Sequence, residues 1–398
     1  MVLKVVNFGF IGCLLLAAQA AIAQPIIPEN TFVLNSIATD SVAKASVCNQ
    51  QNDSLKTQND STISLRKSVL KVLPLAFYTP ETRIAGELVA YYSFFTTGAQ
   101  RKSNVRFFAT YTQNQQFFVI LPWQIYTSHE KYFLNGSLDY KLFPEYYYGL
   151  GNETNEAERH LYAYEAVTLN SKMMQNIGNQ KFVGLAVQYQ NLATMLPHYN
   201  NEMAMRDCHI IGDNGYDYTA LGPTFMYDTR DHILCPQKGQ YFEFTGMLAA
   251  GTANGKAIQF LHLGIDYRYY LPVTKGGTFA NQFVAQSSLG SVPYRALPTL
   301  GGAYFHRGYY AGRFRDNNLI LLQTEYRQHI WNRFGIVAFA SAGRVFENLK
   351  MNPLENINTA AGLGLRIRLS KNEQTNIRLD YSFAKDSQGF YVYFAEAF

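Results

Sequence analysis

Charge is scarce in this chain of 398 residues: Asp, Glu, Lys and Arg together make up 16%, against roughly 25% in an average soluble protein. Tryptophan occurs twice and cysteine four times. Outside the N-terminus there is no run of about 18 apolar residues, which excludes membrane-spanning helices. The net charge of +5 is too small to point to nucleic acid as a partner. Beyond Cys13, the cysteines are Cys48, Cys208 and Cys235, an odd and widely spaced set that argues against a disulfide framework or a zinc site. Catalytic signatures are also missing. There is no Gly-x-Ser-x-Gly elbow, no His-Glu-x-x-His pair and no phosphate-binding Walker loop, and the eight histidines are scattered. No enzyme activity, cofactor or metal is therefore expected. Aromatic residues, by contrast, are abundant: 29 Tyr and 28 Phe. Many aromatics with few charges and no long apolar helix suit a transmembrane β-barrel wall with aromatic girdles, a large soluble β-protein being the alternative.

Residues 1–23 read as a secretory signal. Lys4 gives the positive start, Val5 to Ala18 is mostly apolar, and Ala21-Ile22-Ala23 has the small-x-small cleavage pattern. Cys13 does not fit lipidation, because the apolar stretch continues after it. Residues 24–68 are rich in Asn, Gln, Ser, Thr and Asp, offer little to bury, and read as a flexible periplasmic extension too short for an array of folded modules.

From residue 69 to 398 the dominant period is two. Ile377, Leu379, Tyr381 and Phe383 alternate with Asn376, Arg378, Asp380 and Ser382; Leu363, Leu365 and Ile367 alternate with Gly364, Arg366 and Arg368. Successive side chains of a strand point to opposite faces, so each run has one apolar and one polar wall. About sixteen such runs fit, an even number as a closed single-chain barrel requires. They are placed near 69–78, 86–96, 103–112, 116–127, 132–140, 159–172, 182–191, 218–228, 239–250, 259–271, 278–290, 318–331, 334–346, 359–369, 375–384 and 390–398. The connections at 141–158, 192–217, 291–317 and 347–358 are long and those between are short, the outer-membrane pattern of long loops on one side. The fold class expected is all-β: an antiparallel transmembrane barrel in contact with outer-membrane lipid. Pro74 in the first strand cannot donate to a ladder, so the seam between first and last strands is the expected weak point.

The loop 291–317 carries Arg307, Arg313 and Arg315, and the next strand turns Glu325 and Arg327 to the polar face. An arginine reaching a lumenal carboxylate would pin the loop inside the barrel; an arginine at the loop surface would simply meet water. By their order and spacing, several segments resemble the BamA/TamA-type outer-membrane barrels, the bacterial surface antigen barrel. His306-Arg307-Gly308-Tyr309 matches the Arg-Gly-aromatic motif of the long loop before the twelfth strand, with His306 where relatives usually carry an aliphatic residue. Glu325 matches the acidic partner on the following strand. Phe339-Ala340-Ser341-Ala342-Gly343 matches Phe-x-Asp-x-Gly, with Ser341 replacing the carboxylate. Gly362-Leu363-Gly364-Leu365-Arg366 preserves Gly-x-Gly-x-Arg. Tyr227-Asp228-Thr229-Arg230-Asp231 resembles the Asp-Thr-Arg-Asp turn, and Tyr78-Thr79-Pro80-Glu81-Thr82 the start of the first hairpin.

The resemblance covers residues 74–398. It implies a lumenal loop held by Arg307, with Glu325, Ser341, Gly343 and Arg366 as its surroundings and Glu325 as main partner. It also implies a role in inserting or moving envelope proteins, unfolded barrel clients among them. A separate periplasmic client-delivery protein would then be needed, and a passive pore or a surface-exposed structural barrel are the alternatives. Phe398 is the last residue expected of a barrel recognised by the outer-membrane assembly machinery.

Overall fold

The computed structural model describes residues 68–99, 101–193, 196–197, 210–232, 235–368 and 376–398. The expected signal segment, nearly all of the extension 24–68, Cys48 and Cys208 lie outside them. Sixteen long antiparallel strands, the seventeen-member sheet less the two-residue Leu196–Pro197, form one closed barrel. They are β1 Val69–Thr79, β2 Arg83–Phe94, β3 Ser103–Thr112, β4 Phe117–Tyr126, β5 Tyr132–Tyr147, β6 His160–Asn176, β7 Lys181–Leu192 and β8 Tyr216–Asp228. The second half comprises β9 Gly239–Ala253, β10 Lys256–Thr274, β11 Gly277–Gly290, β12 Asn318–Trp331, β13 Phe334–Phe346, β14 Asn358–Arg368, β15 Asn376–Ala384 and β16 Ser387–Phe394. Each pairs with its chain neighbours, and β1 meets β16 to close the ring.

Closure follows from the solvent. In hydrocarbon, every backbone group left without a partner costs several kcal/mol, and a ring of strands leaves no edge. The alternation then sets the two walls. Along β14, Leu363 and Leu365 are 69% and 53% exposed while Arg366 is 4% exposed. Along β12, Leu322 faces out and Gln323 and Glu325 face in. The apolar wall is thus the outer one, and the lumen holds fully buried guanidinium groups, Arg106, Arg268, Arg307 and Arg378 among them.

Several boundaries differ from the sequence expectation by a few residues, and two of the differences bear on the site. β5 continues through Pro144 to Tyr147, because the Pro144 position still pairs with Ala163 of β6 and its carbonyl accepts a hydrogen bond from Gln116 Nε2 at 3.0 Å. The last strand ends at Phe394 rather than running to 398. Ala395 takes a φ of +62°, which breaks the extended path and turns residues 396–398 inward. Turns of two residues join β10 to β11 and β12 to β13 at one end, while the long loop 291–317 lies at the other. We call these the short-turn and long-loop ends.

The seam is uneven. β15 and β16 are in register at eight positions, from Ile377↔Phe394 to Ala384↔Ser387, whereas β1 and β16 share one, Tyr78↔Val392. Side chains supplement it: the Phe77 and Tyr393 rings stack at 5.6 Å, and Tyr78 and Phe390 lie 5.9 Å apart.

Candidate functional site: the lumenal loop and its ion-pair network

The loop 291–317 does not hang outside. Its two ends are drawn together by a short antiparallel ladder, Thr299–Leu300 with Phe314–Arg315, and its tip is buried in the lumen. Arg307 sits at the centre. Its guanidinium donates to Glu325 on β12 and, at 2.5 Å, to Asp380 on β15, and lies 3.6 Å from the centroid of the Phe339 ring on β13. A planar fork can satisfy two carboxylates and stack on a ring at once, which an ammonium could not. Asp380 also accepts from Arg366 at 2.6 Å and lies 3.4 Å from Arg378. Glu325 accepts from Arg327 Nε at 2.7 Å. Burying so much charge is tolerable only because each ion has partners.

His306 and Ser341 meet each other. His306 Nδ1 lies 2.9 Å from Ser341 Oγ, and the imidazole stacks on Tyr309 at 4.9 Å. Burial holds the His306 imidazole neutral by lowering its pKa to about 3. Gly343 contributes by its size: a Cβ there would come within 3.1 Å of the Leu300 methyls of the loop. Gly308 adopts a φ of +114°, in the range that favours glycine, with its N–H donating to Tyr391 Oη at 3.1 Å.

The tip also spans the seam. On the β16 side, Gly308 O accepts from Ser387 Oγ at 2.6 Å, and Tyr309 Oη from Lys385 N at 3.3 Å. On the β1 side, Ala311 N donates to Glu81 Oε1 at 2.8 Å, Glu81 lying in the β1–β2 turn. A second anchor, not foreseen from the sequence, ties the base of the loop to β5 and β6. Arg295 pairs with Glu145, donates to Tyr162 Oη at 2.9 Å and stacks 3.8 Å over Tyr164; Arg315 lies 3.9 Å from Glu145. Between this anchor and the loop is a small cavity of about 70 Å³, lined by Lys141, Glu81 and Tyr310 among others.

Asp228, Arg230 and Asp231 lie apart from this network. Arg230 Nε donates to Asp228 at 3.0 Å, and Asp231 Oδ1 accepts from the backbone of Gln237 and Lys238 at 2.9 and 3.2 Å, so the group builds the β8–β9 turn. Arg366 bridges Asp380 to Glu396 at 2.6 Å each, and Phe398 packs inside against Tyr270. Asp380 is the partner that sequence reasoning passed over. It stands on the polar face of its run, but nothing local tells which of the lumenal carboxylates a loop will meet. Among the described residues, no group of three or more His, Cys, Asp or Glu side chains is placed to hold a metal ion.

Residues 94–398, more than half of the chain, match the model of the Omp85 superfamily domain. Among solved structures, BamA from Haemophilus ducreyi lacking POTRA domains 1–3 is similar at a TM-score of 0.55 and 12% identity, over 83% of this chain and 70% of that one. CdiB from Acinetobacter baumannii is similar at a TM-score of 0.51 and 11% identity, over 83% of this chain and 60% of that one. This chain therefore spans less than two thirds of the length of that CdiB. At such identities the likeness establishes the barrel fold. No curated protein matches the sequence.

Proposed function

The chain belongs to the Omp85 superfamily and is an outer-membrane barrel of the bacterial envelope, and from that premise we propose that it inserts or translocates polypeptides at the seam between β1 and β16. One observation carries the reading: a single registered position joins β1 to β16, where eight join β15 to β16. Each ladder position that must open exposes backbone groups to lipid, so the seam with the fewest is the cheapest to part and to offer to an incoming strand. The loop tip, bonded to Glu81 on one side and Ser387 on the other, holds the seam shut in this state. Clients are unfolded barrel chains, delivered by a separate periplasmic protein. Depletion of the protein should lower the amounts of other barrel proteins in the outer membrane; unchanged amounts would remove the assembly reading.

A second reading, a small-solute pore, is favoured by the charged lining of the cavity beside the loop, where Lys141, Glu145 and Arg295 face the lumen. In planar bilayers a pore gives large, steady conductance that Arg307→Ala leaves unchanged. A barrel plugged by its loop gives small, erratic conductance that rises with the same substitution.

A further inference from the structure

At the short-turn end, the hairpins β10–β11 and β12–β13 each carry a β-bulge beside the turn. Pro272 pairs with Thr278 and Thr274 with Gly277, which leaves Val273 as an extra residue. His329 pairs with Gly335 and Trp331 with Phe334, which leaves Ile330 as another. An extra residue breaks the alternation of faces, so apolar side chains collect on the outside of each tip. Val273 is 42% exposed, Ile330 56% and Trp331 69%, and the Trp331 ring stacks on that of Phe334 at 6.3 Å.

The two tips are fastened to each other. His329 N donates to Gly276 O at 2.8 Å, and Gln328 Nε2 donates to Lys275 O at 3.4 Å. The exposed cations Lys275 and Arg333, one in each turn, are thereby held on the same sector of the rim, next to the apolar shelf. The shelf continues into the lipid-facing wall through Phe279 on β11, whose ring lies 5.1 Å from that of Tyr326 on β12. Tryptophan beside lysine and arginine is the composition that settles at headgroup level. Rings and aliphatic stems lie in the apolar zone there, and the charges lie among the phosphates.

We propose that these two tips form a docking surface for anionic phospholipid headgroups. Lys275 and Arg333 take the phosphate, and Val273, Ile330, Trp331 and Phe334 lie against the adjoining acyl chains. Continuity with the lipid-facing wall favours this occupant over a water-borne protein. The proposal goes beyond the insertion reading, since a rim that grips lipid sets the depth of the barrel whether or not the seam parts.

The chain has two tryptophans, Trp123 and Trp331, so Trp123→Phe leaves Trp331 as the only tryptophan reporter. This full-length protein is folded into phosphatidylcholine vesicles containing acyl-brominated phosphatidylglycerol or, at equal content, acyl-brominated phosphatidylcholine. Both lipids should quench Trp331, and the anionic one should associate about fivefold more strongly. Lys275→Gln with Arg333→Gln should bring the two lipids to parity. Lys131→Gln with Lys181→Gln, in the β4–β5 turn and at the start of β7, should leave the preference intact. Equal association of the two lipids in the parent overturns the proposal, as does a preference that outlasts the loss of Lys275 and Arg333. Loss of the preference in the Lys131 and Lys181 variant overturns its assignment to this sector. Weak quenching by both lipids would put the tips in water and give the shelf to a protein partner, which equally sinks the idea.

Discussion

Arg307 and Asp380, 73 positions apart in the chain, are joined by a 2.5 Å hydrogen bond across the lumen. Where the resembled family offers a carboxylate on β13, this chain has Ser341, and the negative charge facing Arg307 comes from β15 instead. The loop is thereby tied to the strand that pairs with β16, so its release and a loosening of the last hairpin share one ion pair.

Arg307→Gln should therefore lower stability by about 3–5 kcal/mol, since Glu325 and Asp380 would stay buried with a partner removed. Arg307→Lys should recover only part of it, lacking the fork and the stack on Phe339. The temperature at which the folded band disappears in semi-native electrophoresis measures both. Equal behaviour of Gln and Lys variants would mean that charge alone, and no bidentate geometry, holds the loop.

Acidity should act on His306. Its folded-state pKa is about 3, below the ordinary value near 6.5. In the range between them the unfolded chain takes up a proton that the buried imidazole cannot. The stability contribution is hence complete above pH 6.5 and is lost as pH falls toward 3, with a slope of at most about 1.4 kcal/mol per pH unit. Melting temperatures of the parent and of His306→Gln, taken from pH 7.5 to 4.5, should diverge, the parent falling faster. Parallel curves would show the ring to be solvated.

The seam can be trapped. Tyr78 and Val392 are directly opposed, within the spacing that a disulfide spans, so Tyr78→Cys with Val392→Cys should cross-link on oxidation. Under the insertion reading the locked protein loses the ability to maintain other outer-membrane barrels, and reduction restores it. The control pair Leu379→Cys with Val392→Cys, inside the β15–β16 hairpin, should cross-link without that loss. Activity surviving the Tyr78–Val392 lock would mean that clients use another route.

The clasp over the seam should be visible as exchange. Glu81→Leu removes the acceptor for Ala311 N, and Ser387→Ala the donor to Gly308 O. Each should speed amide exchange in Val69–Thr79 by roughly five- to tenfold, as expected for the loss of one hydrogen bond worth about 1 kcal/mol or more. Exchange in Tyr132–Tyr147, on the far wall, should be unaffected. Uniform acceleration everywhere would point to general destabilisation.

The barrel was legible because its physics is local: a wall between lipid and water writes itself into every second residue, and strands such as Asn318–Trp331 and Phe334–Phe346 can be read to the residue. Where local pattern and tertiary path part company, the reading fails. Proline at 144 looks like an ending, yet a strand with a partner on one side tolerates it. Phe394, Glu396 and Phe398 keep the period of two, and no pattern records that Ala395 adopts a left-handed φ. The lumenal partners were only half visible, for the same reason. Alternation assigns Glu325 and Asp380 to the inner wall, whereas Glu145 falls in a stretch read as a loop, and the choice among them is made by a loop folding back over 27 residues, a length along which no periodicity operates.

His306 and Ser341 both depart from the family pattern, and in the fold they answer one another. An aliphatic residue at 306 would strand the serine hydroxyl in a dry interior, and an aspartate at 341 would add a buried anion beside the imidazole, at a desolvation cost. Either reversion alone should therefore cost stability. Descendants of this chain should thus inherit the two positions as a unit, and a lineage that has altered one without the other should carry a third substitution nearby that makes amends.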